Sequence, residues 1–136
     1  MTKWFVALAA TTTVMVLVDL LWVGWLARPL YVQGIGHLMA ARPNVAVAVA
    51  FYLVYASGLL VFALWPHAAM PGLGRAAGAA ALFGFFAYAT YDLTNLATLN
   101  DWPWRLSLID MAWGSALSAL SATAGKAVLD RISAAV

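Results

Sequence analysis

The sequence has no cysteine and few charged residues. The absence of cysteine excludes disulfides, thiolate metal sites and a cysteine nucleophile. Only 9% of the residues are charged and 65% are hydrophobic, whereas a soluble domain has roughly one quarter charged residues. The mean hydropathy is +0.90. This composition predicts an integral membrane protein whose first partner is the lipid bilayer.

Clustered positive charge is also missing. The formal net charge is +2, and the seven Lys and Arg residues are scattered over the termini and the connecting segments. No basic run is present that would follow a phosphate backbone, so we expect no nucleic-acid partner. The N-terminal apolar run is longer than the core of a signal peptide, and we expect it to be a retained first helix.

Proline is absent from four long apolar segments, and all five prolines fall between them. A proline inside a helix removes a hydrogen bond, so this distribution marks the connections. A membrane helix needs about 20 residues. The sequence therefore predicts an all-α fold, a single membrane domain over 1–136 that forms a four-helix antiparallel transmembrane bundle. The predicted helices are 4–26, 44–65, 76–99 and 104–124, and the first connection is long enough for a short interfacial or re-entrant turn.

Orientation follows from the basic residues of the connections. Lys3, Arg75, Lys126 and Arg131 lie on the side of the termini, and Arg28, Arg42 and Arg105 lie on the other. The excess of one residue favours both termini in the cytoplasm. Small residues on one face of the third and fourth helices permit close helix contacts, within one chain or in a homo-oligomer.

Apart from Arg105 at the start of the fourth, the apolar segments contain no basic residue, yet Asp19, Asp92 and Asp110 lie within them. One carboxylate at the centre of a membrane helix costs roughly 2.5 to 3.5 kcal/mol, so three cost about 8 to 10 kcal/mol. These side chains must be protonated, hydrogen-bonded or neutralised by a cation from outside the chain.

The three aspartates fall at one predicted depth. With 1.5 Å of rise per residue, each lies about 10 Å below the face formed by the first and third connections. Tyrosine, tryptophan and asparagine side chains of the four helices enter the same layer. We therefore predict one ligand-binding pocket, formed by Asp19, Asp92, Asp110, Asn95, Tyr52, Tyr55, Tyr88, Trp22 and Trp113.

Three functions are compatible with this layer. Oxygen ligands suit a proton or a hard cation, so binding or translocation of a small solute, cation or proton is favoured. His37 and His67 lie in connections on opposite sides, so no histidine metal site is predicted, and no cofactor is indicated. A membrane enzyme that uses the aspartates as general acid and base on a lipid is the alternative. The sequence lacks the GxGD signature of intramembrane aspartyl proteases, and its helices contain no serine and histidine pair for nucleophilic catalysis. Both absences favour a non-enzymatic role. A structural or accessory subunit is the third function.

A family resemblance rests on the string YDLTNLATL, Tyr91 to Leu99, and on the residues that follow it. The chain resembles the bacterial predicted-membrane-protein family called domain of unknown function 2177. This resemblance implies a four-helix protein of the bacterial cytoplasmic membrane and implies no particular activity. It includes Asp19, Asp92, Asn95 and Asp110. The other matching positions are Trp22, Gly24, Tyr31, Gly36, Tyr52, Gly58, Trp102, Pro103, Trp113 and Gly114.

Overall fold

The part of the chain that the structure describes is mostly helical. The structure is a computed structural model, and it describes residues 1–135. Within this range there is no strand, and the all-α prediction is confirmed. The five α-helices are α1 (Thr2–Leu21), α2 (Arg28–Ile35), α3 (Val45–Leu59), α4 (Gly74–Thr98) and α5 (Trp104–Ala134).

Two of the helices end in wider turns. α1 continues as a π-helical segment, Trp22–Leu26, and α3 continues as a second one, Leu60–Leu64. A π-helical turn contains more residues than an α-helical turn and often occurs at functional sites. At its other end, α3 begins at a cap in which the Asn44 side chain accepts a hydrogen bond from the Val47 amide at 3.2 Å.

Membrane character is clearest in the first and third helices with their extensions. The spans Thr2–Leu26 and Val45–His67 are long and apolar enough to cross a bilayer, with mean hydropathies of 2.1 and 2.3. Their outward-facing apolar side chains are exposed, for example Leu17 at 64% and Val54 at 74%. Water does not solvate such a surface favourably, and lipid does.

α5 is the central helix. It packs along α4 and α1, and it also contacts the end of α3 and the short helix α2. α4 and α5 approach closely at Gly84 and Gly114, where a side chain at Gly84 would collide with the Gly114 carbonyl. The face of α5 that carries Asp110, Gly114, Ser118 and Ala122 is buried.

The helices alternate in direction. Trp113 of α5 contacts Asp19 near the end of α1, and Gly125 of α5 lies against Thr11 near its start, so α1 and α5 are antiparallel. Tyr55 of α3 contacts Ser118 of α5, and the end of α3 lies near Gly125, so α3 and α5 are parallel.

One boundary differs from the prediction. α5 continues to Ala134 rather than ending near 124, because its last part is still packed: Gly125 lies against Thr11 of α1, and Lys126 donates to the Met70 carbonyl of the second connection. The first connection contains α2, which folds back onto the start of α5. A Cβ at Gly34 of α2 would lie 2.9 Å from Pro103 Cγ, so glycine permits this approach.

Candidate functional site

Asp19 is held by two neutral donors from two other helices. Its side chain is buried near the end of α1. Tyr52 Oη of α3 donates to Asp19 Oδ2 at 2.9 Å, and Trp113 Nε1 of α5 donates to Asp19 Oδ1 at 3.0 Å. Three helices therefore meet at one carboxyl group.

Asp110 is held by a hydrogen bond from a side chain of the first connection. Tyr31 Oη of α2 donates to Asp110 Oδ1, and Trp22 Nε1 donates to Tyr31 Oη at 3.3 Å. Burial, followed by the neighbouring Asp110 carboxyl, raises the pKa of the Tyr31 phenol above its usual value. Tyr31 therefore keeps its proton at neutral pH and remains a hydrogen-bond donor.

A pair of indole rings connects the two carboxyl groups. Trp22 and Trp113 stack with ring centroids 4.2 Å apart and planes inclined by 8°. One indole donates towards Asp19 and the other towards Tyr31, so the stack lies between the two hydrogen-bond chains. We call this group the Asp19–Asp110 cluster. It consists of Asp19, Tyr52, Trp113, Trp22, Tyr31 and Asp110.

The charge of this cluster has no basic counterpart. Throughout residues 1–135 the one ion pair is formed by Lys126 and Asp130, one helical turn apart in α5. The donors that reach Asp19 and Asp110 are phenol and indole groups. In an apolar environment, neutral donors compensate a carboxylate less well than a basic side chain does.

Asp92 is fully buried in α4 and has no hydrogen bond. Its side chain is 0% exposed, and among residues 1–135 neither carboxyl oxygen has a partner. Ser107 and Trp102 lie beside it, but Trp102 Nε1 donates to Ser107 Oγ at 3.0 Å instead. A buried polar group without a partner costs about 1 to 3 kcal/mol, and a charged one costs more.

The three other predicted residues are Tyr55, Tyr88 and Asn95. Tyr55 Oη and Ser118 Oγ share a hydrogen bond of 2.9 Å, and Tyr55 meets Tyr88 edge to face with centroids 6.3 Å apart. Asn95 is partly exposed beside Tyr91, and its side chain has no hydrogen bond to the three carboxyls in the described residues. The structure thus brings Tyr55, Tyr88 and Ser118 together and leaves Asn95 outside the hydrogen bonds of the carboxyls.

A cleft lies between α3 and α4. Its volume is about 360 Å³, and its walls are almost entirely apolar. It is lined by Phe51, Tyr55, Ala87, Tyr88 and Tyr91. Phe51 and Tyr91 are exposed at its mouth, so the cleft opens sideways at the outer surface of the helices. Tyr55 and Tyr88 form its inner wall.

The arrangement does not resemble a conventional metal centre. Among residues 1–135, no three His, Asp or Glu side chains come together to hold a metal ion. Each carboxyl of the Asp19–Asp110 cluster is instead reached by its own phenol or indole donors.

Sequence reasoning did not include Tyr31, Ser107, Ser118 or Trp102 among the site residues. Tyr31 lies in a connection, and hydropathy gives no signal that α2 folds back towards Asp110. Ser107 and Ser118 could have been found from helical spacing, because they lie three residues before and eight residues after Asp110 on one face of α5. Trp102 has the appearance of an interfacial anchor, which is the commoner role of such a residue.

The fold and the site together define a helical membrane protein that buries several carboxyl groups among its helices. The model of the family described as Predicted membrane protein (domain of unknown function 2177) matches residues 4–127. The chain belongs to this family, which confirms the resemblance seen in the sequence. No curated protein and no solved structure gives a significant match.

Proposed function

We propose that all four long helices cross the membrane. The outer face of α4 is apolar and exposed, with Phe86 at 60% and Leu82 at 58%. α5 is less hydrophobic, but it packs along α4 and α1, and its polar side chains from Ser107 to Lys126 are buried or half-buried. Both helices exceed the length that a bilayer requires. The proposed location is the bacterial cytoplasmic membrane, with both termini in the cytoplasm.

The proposed activity is proton binding and transfer within the membrane at the Asp19–Asp110 cluster. One observation carries this proposal: two buried carboxyl groups are held by neutral hydroxyl and indole donors, with no basic side chain among them. Intramembrane acidic residues in such surroundings are typical of proton relays and ion pathways. Each carboxyl can take up and release a proton while its donors keep it in position.

A proton fits this cluster better than a larger solute does. The stacked Trp22 and Trp113 rings and the direct hydrogen bonds of the two tyrosines fill the space between the carboxyls. A solute would have to displace them, whereas a proton needs no cavity. A single monovalent cation remains the alternative ligand of the same chemistry, and an assay with and without added sodium separates the two.

The test is proton flux in liposomes. Purified protein is reconstituted with a pH-sensitive dye inside the vesicles, and flux is followed after a membrane potential is imposed. Asp19→Asn and Asp110→Asn keep the size of the side chain and remove its proton site. We expect the double variant to conduct no more than protein-free vesicles. Asp101→Asn is the matched control, because Asp101 is exposed in the third connection. Wild-type flux in the double variant would overturn the proposal.

The cleft between α3 and α4 favours a second candidate, recognition of a membrane lipid. Its sideways opening and apolar walls suit an acyl chain, and Tyr55 and Tyr88 form its inner wall. Ala87→Phe would fill the cleft from within. Native mass spectrometry should then show loss of a lipid that the wild-type protein retains, while Ala97→Phe, an exposed position on α4, should keep it. Equal lipid retention in both variants would exclude this candidate.

A further inference from the structure

Asp92 differs from the other buried polar side chains among residues 1–135 because it has no hydrogen-bond partner. Among residues 1–135, its two oxygens are the only buried side-chain nitrogen or oxygen atoms without a hydrogen-bond partner. Asp19 and Asp110, by contrast, each receive at least one donor. A charged carboxylate at this position would be neither hydrated nor paired, which strongly favours the neutral acid.

The donors that a charged Asp92 would need are adjacent but engaged with each other. Ser107 and Trp102 lie beside the carboxyl, and the Trp102 indole donates to the Ser107 hydroxyl. Both side chains are nearly fully buried. The ionisable groups facing Asp92 are Asp110 on α5 and Tyr91 on its own helix, and a negative charge on either opposes a second one. Among residues 1–135, no lysine or arginine forms an ion pair with them.

We propose that Asp92 is a separate proton-binding site beneath the third connection, and that release of its proton transfers the hydrogen bonds of Trp102 and Ser107 to its carboxylate. In the protonated form the carboxyl needs no strong donor, and Trp102 bonds to Ser107. In the ionised form the carboxylate is the stronger acceptor for both groups. The described geometry corresponds to the protonated form.

The Asp92 site lies between the third connection and the Asp19–Asp110 cluster. Trp102 belongs to the short connection 99–103 and meets Tyr91 edge to face with centroids 5.8 Å apart. Ser107 lies one helical turn before Asp110 on the same face of α5. A proton that enters at Trp102 would reach Asp92 first and Asp110 next. This entry role rests on the proposed proton transfer, whereas the proton site itself does not.

Infrared spectroscopy of the reconstituted protein tests the proton site. A protonated carboxyl has a carbonyl stretch that a carboxylate lacks. We expect such a band at neutral pH, its loss as the pH rises, and its absence in Asp92→Asn. Asp101→Asn should leave the band unchanged, since Asp101 is exposed to water. Identical spectra for the wild type and Asp92→Asn would overturn the proposal.

The transfer of hydrogen bonds is tested by fluorine NMR of protein labelled with 5-fluorotryptophan. Trp102→Phe identifies the Trp102 signal. We expect this signal to shift with the same pH midpoint as the infrared band and to stay fixed in Asp92→Asn. A Trp102 signal that is constant while Asp92 titrates would show that the two groups are not coupled.

Ser107→Ala gives a second variant that keeps Asp92 intact. The ionised carboxyl then loses one donor, so the midpoint of the band should move to higher pH by about one unit, which is a tenfold gain in proton affinity. An unchanged midpoint would overturn the role of Ser107.

Flux measurements separate this inference from the proposed function. Wild-type flux in Asp92→Asn would overturn the entry role and leave the Asp19–Asp110 cluster as the transfer site. Wild-type flux in the Asp19→Asn and Asp110→Asn double variant, with Asp92 and Trp102 behaving as expected, would overturn the proposed function alone.

Discussion

Lys126 and Asp130 form an ion pair near the end of α5, whereas Asp19 and Asp110, at the opposite end of the helices, are held by phenol and indole groups. The Lys126 ammonium is fully buried and also donates to the Met70 carbonyl at 3.0 Å, which ties the second connection to α5. The Lys126–Asp130 pair is internally neutral and joins α5 to the second connection. At the Asp19–Asp110 cluster, by contrast, the donors are phenol and indole groups, and no lysine or arginine among residues 1–135 forms an ion pair with these carboxyls.

Asp19→Leu should have the largest effect on stability, because it leaves the Tyr52 hydroxyl and the Trp113 indole without acceptors. Two unsatisfied donors predict a loss of about 2 to 4 kcal/mol in the free energy of unfolding. Unfolding in mild detergent by a denaturant series measures it. Asp19→Asn keeps an acceptor oxygen and should lose less than half as much. Equal losses would mean that packing, and not the hydrogen bonds, holds Asp19.

Asp130→Asn should destabilise the protein by about 2 kcal/mol, because the buried Lys126 ammonium keeps only neutral acceptors. The same unfolding experiment applies, and Arg131→Gln on the next, exposed position serves as the control. A change within 0.5 kcal/mol, which is about the size expected for an exposed position, would show that the ion pair contributes little.

Lys126→Met should cost less, about 1 kcal/mol, since the apolar stem is largely retained and only hydrogen bonds are lost. The side chain of Asp130 is 38% exposed, so water can solvate its carboxylate after the lysine is removed. If Lys126→Met lost more free energy of unfolding than Asp130→Asn, the proposed order of the two effects would be wrong.

Tyr31→Phe should have the smallest effect, about 0.6 kcal/mol for an average polar contact in a membrane protein. Its pH dependence is more informative. The pKa of Tyr31 is raised in the folded state above its ordinary value of 10.0, so its contribution is complete below pH 10 and declines as the pH rises further. Stability measured from neutral to strongly alkaline pH should fall less steeply in Tyr31→Phe. Parallel curves of stability against pH for the wild type and Tyr31→Phe would show that folding does not raise the pKa of Tyr31.

The helical class and the family follow from the sequence, because long apolar segments separated by prolines leave few other folds. The chain directions also follow, since Asn100 to Pro103 is too short for anything except antiparallel neighbours. The end of α5 does not follow from the sequence, because hydropathy indicates where the bilayer ends and not where a helix ends. Residues after Ala124 are helical for reasons of propensity and packing.

The site could be predicted only in part, and the reason is geometric. Helical spacing places Asp110 and Ser118 on one face, and the structure buries both. Spacing cannot place Tyr31, whose position depends on how α2 folds back over Pro103. It also cannot decide which donors a carboxyl receives: Asp19 obtains two, and Asp92 obtains none, although both occupy apolar helices. Rotation of side chains by a few degrees determines this, and no periodicity encodes it.

The parallel stack of Trp22 and Trp113 gives the protein an optical signature of its own. Two indoles with centroids 4.2 Å apart couple their electronic transitions, and the coupled pair produces a paired positive and negative band in circular dichroism that single indoles lack. Replacing either ring by phenylalanine would remove the contribution of this pair, whereas the more distant pair Trp4 and Trp65, with centroids 5.7 Å apart, would remain. Circular dichroism of the unlabelled protein can therefore report whether the two halves of the carboxyl cluster are in contact.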